Sequence, residues 1–205
     1  MTTIYLLRHG ESEANVRRVF SNGKLDLPLT ALGRDQAARA GRWLGDKGII
    51  NVYAAPLLRA QQTAQILVDQ LSLGPPTVLA DLDEVRVGDL DTRDDAGAWT
   101  NYDVVMRGWL DGVTDARFPG GESFGEACAR YEAALRQIAN RHPEGTVVAT
   151  THGGIQLTVL PRLCPTITFG PDGPHMPHVA INRLEVVPGG FACSLWASTS
   201  HLAVD

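Results

Sequence analysis

Lysine is scarce in this sequence. Only Lys24 and Lys47 occur among 205 residues, and the formal net charge is −5. No basic run is present that could follow a polyanion, so we expect neither nucleic acid nor a membrane surface as a partner. Apolar runs long enough to cross a bilayer are also lacking, as is a leader that joins basic residues to an apolar stretch. These absences favour a cytoplasmic protein.

Cysteine is equally sparse. The three cysteines, Cys128, Cys164 and Cys193, are scattered and show no CxxC spacing, which argues against a disulfide framework and favours reduced thiols. None of them is followed six residues later by arginine, the spacing that cysteine-dependent phosphatases need. That enzyme class is therefore excluded.

The composition that is present is ordinary for a globular domain, with 44% apolar and 20% charged residues. We expect residues 1–205 to form one domain. Strand-like and helix-like periodicities alternate, which predicts an α/β three-layer sandwich with a mainly parallel central sheet and helices on both faces. The predicted strands are 4–7, 51–55, 77–79 and 146–151 with a hairpin of 180–187 and 191–197, and the predicted helices cover 30–47, 56–71, a segment opening at 123, and 154–163.

Helix boundaries are marked by local signals. Thr30 is a candidate N-cap for a helix whose buried stripe would include Leu32 and Ala37. Ser123 and Glu126 have the spacing of a capping box. Between the regular segments, residues 81–120 lose their periodicity and hold four large side chains among many Asp and Gly. This stretch predicts an irregular insertion over the active site.

Two predicted strands end in the same kind of sequence. Residues 4–7 lead into Arg8-His9-Gly10, and residues 146–151 lead into His152-Gly153-Gly154. The carboxyl ends of parallel strands meet at one edge of a sheet, where ligands bind. Arginine grips phosphate oxygens through its planar fork, and a neutral histidine can act as a nucleophile. We expect Gly10 to let the backbone approach the ligand closely.

Four segments together resemble the histidine phosphatase superfamily, which includes the cofactor-dependent phosphoglycerate mutases. They are Leu7-Arg8-His9-Gly10-Glu11 with its continuation to Asn15, Asp26-Leu27-Pro28-Leu29-Thr30 with its continuation to Gly33, Ala55-Pro56-Leu57-Leu58-Arg59 with its continuation to Ala64, and Val147 to Gly154. Two positions depart from the usual pattern, because Ala55 and Thr151 stand where serine is common. The segments occur in the family's order, which makes the resemblance specific.

The resemblance implies a phosphoryl-transfer site. His9 would attack phosphorus and form a phosphohistidine, and Glu84, in the stretch Leu82 to Gly88, would be the general acid. The phosphoryl oxygens would be bound by Arg8, Arg59 and His152, with Asn15 and the Gly153 N–H as further donors. Neither a metal ion nor a cofactor is implied.

The expected function is that of a phosphomonoesterase acting on a small-molecule phosphate ester. The alternative is a phosphoglycerate mutase, which must retain a second anionic end. Residues 81–95 hold seven acids against two arginines, and we expect this negative loop to repel such a substrate. A more remote alternative is a phospholigand-binding module without catalysis. The identity of the ester and whether the protein is a homodimer stay open.

Three other signals are weaker. Gly121-Glu122-Ser123-Phe124-Gly125 fits the GxSxG pattern of serine hydrolases, but no strand precedes it, as that motif requires. The acids of residues 81–91 could suggest a metal site, although a solvated loop is the better interpretation. His175 to His178 lie in a Pro/Gly-rich loop that could face the active site or the surface.

Overall fold

The computed structural model describes residues 1–169 and 173–203 of the chain. Its six strands are β1 (Thr3–Arg8), β2 (Ile49–Ala54), β3 (Thr77–Val78), β4 (Thr146–Thr151), β5 (Ile181–Val187) and β6 (Gly190–Ser198). The helices are α1 (Glu13–Arg17), α2 (Ala31–Leu44), α3 (Leu58–Leu71), α4 (Ala96–Leu110), α5 (Phe124–Arg141) and α6 (Gly153–Leu163), with short 3₁₀ turns at Ala80–Leu82, Gly88–Leu90 and Ser200–Leu202.

The strands form one mixed sheet in the order β3-β2-β4-β1-β5-β6. The first four strands in this order run parallel, whereas β5 and β6 form an antiparallel hairpin at one side. In the register of β1 with β4, Arg8 lies opposite Thr151. The next residue of each strand is a histidine, so this register brings the two predicted motifs side by side.

Both faces of the sheet are covered, which confirms the three-layer prediction. Side chains alternate between the faces along each strand. Tyr5 and Leu7 of β1 belong to an apolar cluster shared with α2 and α3. Ile4 and Leu6 belong to the larger cluster on the other face, which includes residues of α4, α5 and α6.

The predicted helix caps are confirmed. The Thr30 hydroxyl accepts from the Gly33 N–H, and Ser123 and Glu126 form a complete capping box at the start of α5. The predicted stripe of α2 was wrong at one position, because Leu32 is 54% exposed. Leu32 lies outside the buried stripe, which is formed by Gly33, Ala37, Ala40 and Leu44.

The prediction that residues 81–120 are irregular was wrong for their middle part, which forms α4. Asp95 caps this helix by accepting from the Ala98 N–H. Its buried residues Ala98, Val105 and Trp109 recur at helical spacing. Two glycines within the helix lower its intrinsic propensity and obscured the pattern. Packing against the large apolar cluster stabilises α4 instead.

No helix among residues 1–169 and 173–203 combines the length and the apolar character that crossing a membrane requires.

Candidate active site

His9 and His152 meet at the carboxyl edge of the sheet, where β1 and β4 end side by side. The centroids of their rings lie 5.1 Å apart, and both side chains are buried. The parallel register dictates this proximity, because each histidine directly follows a paired strand residue. The structure therefore brings the two predicted motifs together.

The His9 ring is held in one orientation. Its Nδ1 lies 2.6 Å from the Gly10 carbonyl oxygen, which can only accept, so Nδ1 carries the hydrogen and Nε2 has the free electron pair. Arg59 donates from Nε to this Nε2 over 3.1 Å. Burial, and then the positive charges of Arg59 and the other neighbours, hold the pKa of His9 well below its ordinary value. The ring is therefore neutral, as a nucleophile must be.

Gly10 lies in close contact with the start of α2. A Cβ at this position would lie 2.3 Å from the carbonyl oxygen of Gly33, and a Cβ at Gly33 would lie 2.0 Å from that of Glu11. Both glycines therefore allow two backbone segments to touch, which positions the loop that carries His9. The expected approach of the Gly10 backbone to a ligand stays a prediction.

Two buried arginines flank His9. Arg59, in the first turn of α3, also donates from Nη1 to the Ser21 carbonyl over 2.7 Å. Arg8 donates from Nη1 to the Met176 carbonyl, while its Nε is buried without a hydrogen-bond partner among the described residues. Burial lowers the pKa of both guanidinium groups, yet arginine keeps its charge. The unpartnered Arg8 donor, with the Arg59 guanidinium as a neighbouring charge, is a place for an anion's oxygen atoms.

His152 lies beside His9 and the two arginines. It is fully buried, and neither ring nitrogen has a hydrogen-bond partner within the described part of the chain. Asp83 Oδ1 lies 3.8 Å from its Nε2, too far for a hydrogen bond. Burial and nearby arginines hold the pKa of His152 well below its ordinary value. Gly153 lies against Arg8, since a Cβ there would be 3.0 Å from Arg8 Nε.

The carboxylate of Glu84 lies at the N-terminus of α6. Its two oxygens accept from the backbone N–H groups of Gly154 and Ile155 over 3.0 and 2.7 Å, and one of them also accepts from Val85. Negative charge is favoured at a helix N-terminus. Residue 154 must be small, because a Cβ there would lie 2.9 Å from Glu84 Oε1.

Arg130 fixes the segment that carries Glu84, and no sequence signal pointed to it. This side chain forms a buried two-bond pair with Glu122 over 2.7 and 2.8 Å. It also donates to the backbone carbonyls of Asp81, Asp83 and Glu84. The Arg130 guanidinium thus links α5 to the segment of residues 81–84. We expect a substitution of Arg130 to loosen the position of Glu84.

A cavity of about 900 Å³ opens beside these groups. Arg8, His9, Asn15, Arg59 and Glu84 all line it. The Asn15 amide oxygen accepts from Ser12, which leaves its NH₂ group for the cavity. With Gly153 against Arg8 and His152 beside His9, the structure brings every predicted site residue to one place.

Most acids of residues 81–95 point away from the cavity. Of these seven acids, only Glu84 is among the described residues that line it. Asp91, for example, accepts from the backbone N–H groups of Asn22 and Lys24, and Asp95 caps α4. Burial lowers the pKa of Arg59, and the charges of nearby acids, Asp83 and Asp91 among them, oppose that shift. Repulsion of a second anionic group by this loop stays a prediction.

Sequence reasoning missed Thr63 as well as Arg130, and it left open whether the loop of His175 to His178 faces the active site. Thr63 accepts from the Gly10 N–H and donates to the Arg59 carbonyl, so it links the two main motifs. His175 and Met176 line the cavity, and the His178 ring lies 6.3 Å from that of His9. The histidine spacing singled out this loop, but only the fold could show that it reaches the active site.

The two rival interpretations find no support here. Ser123 caps α5 with its hydroxyl and is absent from the cavity lining. Among the residues described, no three His, Cys, Asp or Glu side chains are grouped so that they could hold a metal ion. Independence from metals stays a prediction.

Comparison with known proteins gives a coherent result. The model of the histidine phosphatase superfamily (branch 1) matches residues 4–199. A Proteus mirabilis protein described as "Probable phosphoglycerate mutase GpmB" is 34% identical over 155 residues, which cover 75% of this chain and 70% of that protein. The solved structure of Bacillus stearothermophilus YhfR is 27% identical, with a TM-score of 0.82 and coverage of 98% and 100%. A mycobacterial glucosyl-3-phosphoglycerate phosphatase in complex with VO₃ is 25% identical, with a TM-score of 0.78 and coverage of 96% and 99%.

Proposed function

This chain belongs to the histidine phosphatase superfamily, and we propose that it hydrolyses a small-molecule phosphomonoester through a phosphohistidine on His9. The observation that carries the proposal is the state of the His9 ring. Its Nδ1 hydrogen is held by the Gly10 carbonyl, and its Nε2 electron pair faces a buried arginine beside an open cavity. A neutral imidazole within a cationic pocket suits attack on a phosphoryl group.

In the first proposed step, His9 Nε2 attacks phosphorus and the bond from phosphorus to the alcohol oxygen breaks. Arg8, Arg59 and His152 surround the phosphoryl oxygens and stabilise their charge. Glu84 supplies the proton that the leaving oxygen takes up. The Arg59 contact with Nε2 must pass to a phosphoryl oxygen as substrate binds, because the same electron pair forms the new bond.

In the second step, water attacks the phosphohistidine. Its oxygen forms the new bond to phosphorus, the bond to Nε2 breaks, and one water proton returns to Glu84. Phosphate leaves and His9 regains its free electron pair. The position of Glu84 at the edge of the cavity, fixed by three N–H bonds and by Arg130, supports both proton transfers.

A phosphoglycerate mutase is the second candidate, favoured by the name of the Proteus mirabilis relative. The lining of the cavity favours a phosphatase. Beyond Arg8 and Arg59, the only arginine among the described lining residues is Arg107 on α4, which lies between the lining acids Asp103 and Asp111. A retained bisphosphate needs a second cationic cluster, and the described lining does not supply one.

The test combines trapping with product analysis. The purified protein is quenched in alkali during turnover of radiolabelled phosphomonoesters, and we expect acid-labile, base-stable label on His9. Incubation with 3-phosphoglycerate then separates the candidates, because a phosphatase releases inorganic phosphate and a mutase yields the 2-isomer. Binding of phosphate without hydrolysis of any ester would indicate the non-catalytic module instead.

A further inference from the structure

The lining of the cavity becomes mainly apolar away from His9. Phe20, Trp99 and Tyr102 form a cluster of rings along its wall, with the Phe20 centroid 4.2 Å from that of Trp99 and 5.2 Å from that of Tyr102. Trp99 is anchored by its indole N–H, which donates to the Arg18 carbonyl over 3.0 Å. Anchored rings present a flat apolar surface with little conformational freedom to lose on binding.

The other walls of this region are apolar too. Met106 and Leu110 follow on α4, Leu157 comes from α6, and Met176 comes from the loop before β5. Methionine side chains adapt to irregular ligand shapes. This apolar part is continuous with the phosphoryl pocket, because the same cavity contains His9.

The charges here do not favour a second anion. Asp103 on α4 and Asp111, the C-cap of this helix, stand four residues to either side of Arg107, a spacing at which opposite charges attract along a helix. These three side chains are exposed at the mouth of the cavity. The Arg18 guanidinium, 5.6 Å from the centroid of the Trp99 ring, balances their net negative charge. The described lining holds no cluster of cations at this end, whereas the phosphoryl end holds Arg8 and Arg59. The cavity is thus complementary to a molecule with an anion at one end only.

We infer that the substrate alcohol is bulky, apolar and ring-bearing, with no second anionic group. The inference rests on the proposed function for the orientation of the substrate. It identifies the ring cluster of Phe20, Trp99 and Tyr102 as the determinant of specificity.

Binding of phosphonates tests the inference without requiring turnover. Calorimetry with methyl-, butyl-, octyl- and phenylphosphonate should show affinity rising about threefold for each methylene added, as expected for burial of apolar surface. Phenylphosphonate should bind more tightly than methylphosphonate. The decisive comparison is butylphosphonate against 2-carboxyethylphosphonate, which is of similar length but ends in a carboxylate and should bind at least tenfold more weakly.

Variants assign the effect to the ring cluster. Trp99→Ala should weaken binding of phenylphosphonate by roughly tenfold while leaving methylphosphonate binding unchanged, and Trp99→Phe should restore most of the loss. Trp43→Ala is the matched control, because Trp43 packs on Tyr5 beneath the opposite face of the sheet. That variant should bind all four phosphonates as the unaltered protein does.

Affinity that does not change with chain length, or tighter binding of the carboxylate, would overturn the inference. If Trp99→Ala weakened binding of phenylphosphonate and methylphosphonate equally, the ring cluster would not be the determinant of specificity. The proposed function has separate tests, since a protein that binds long-chain phosphonates tightly but never forms phosphohistidine would refute the function and keep the inference. Equally efficient hydrolysis of anionic and apolar esters through a phosphohistidine would refute the inference and keep the proposed function.

Discussion

The two ends of the cavity are formed by different parts of the chain, and they differ in charge and in burial. At the phosphoryl end, His9 and His152 follow paired strands, are buried, and lie among charged groups with defined partners. At the alcohol end, side chains of α4 and of the loop before β5 form an apolar wall that opens at exposed Asp103 and Asp111.

This difference separates the chemistry from the choice of substrate. Moving one group at the phosphoryl end disturbs the others, because Thr63 links the His9 loop to α3 and Arg130 links the Glu84 loop to α5. Trp99 on α4 takes no part in these links, because its indole N–H donates to the Arg18 carbonyl. We therefore expect large effects on turnover at the first end and selective effects on affinity at the second.

Replacing the nucleophile should produce the largest effect. His9→Ala should lower turnover of every phosphomonoester by at least ~10⁴-fold, because the covalent intermediate can no longer form. Steady-state assays on an aryl and an alkyl phosphate measure the loss, and circular dichroism should show an unchanged fold. Turnover within tenfold of the unaltered protein would refute the covalent mechanism.

Removing the proposed acid should separate substrates by their leaving groups. Glu84→Gln should slow hydrolysis of an alkyl phosphate by roughly 10²–10⁴-fold and that of a p-nitrophenyl ester much less, since p-nitrophenolate needs no proton to leave. Asp81→Asn, an exposed neighbour outside the cavity lining, should behave normally on both. Equal losses on the two esters would instead assign Glu84 a structural role at the start of α6.

Loss of one guanidinium should weaken the phosphoryl end alone. Arg59→Ala should cost on the order of 1.5–3 kcal/mol in binding of vanadate or phosphate, as for other charge-assisted hydrogen bonds. The relative affinities along the phosphonate series should persist, because the ring cluster is untouched. Arg39→Ala on the exposed face of α2 is the control. Undiminished oxyanion binding by the Arg59 variant would show that this residue contacts no phosphoryl oxygen.

The pH dependence should reveal the buried state of His9. An imidazole with an ordinary pKa of about 6.5 would lose about tenfold of its neutral form between pH 7.5 and 5.5. Because burial and the neighbouring cations lower the pKa of His9, we expect kcat/KM for the p-nitrophenyl ester to fall much less, after correction for ionisation of the substrate. A full tenfold loss would mean that His9 titrates as a solvated histidine.

Chelation should have the smallest effect. Dialysis against a strong chelator should leave activity within experimental error, because Arg8 and Arg59 supply the positive charge at this site. The assay is repeated after adding Mg²⁺ or Zn²⁺. Loss of activity on dialysis and recovery with either ion would place a metal, and not His9, at the centre of the chemistry.

Local signals predicted a helix or strand well where its start or pattern depends on residues that are close together in the sequence. The caps at Thr30 and Ser123 are examples, because each is formed by residues three positions apart. Prediction failed where distant segments decide the outcome. α4 is stabilised by packing that outweighs its glycines, and Leu32 is exposed although it falls within the predicted stripe of α2.

By itself, the sequence determined the alternation of strands and helices, the two histidines that follow strands, and the presence of Arg8, Arg59 and Glu84 as candidates for the chemistry. Only the tertiary structure decided that Arg130 holds the Glu84 loop, that the loop of residues 173–178 reaches His9, and that α4 supplies an apolar wall. The physical reason is the separation along the chain over which each effect acts. Periodicity and capping act over a few residues, whereas burial, charge compensation and the shape of a cavity depend on side chains that the fold brings together from opposite ends of the chain.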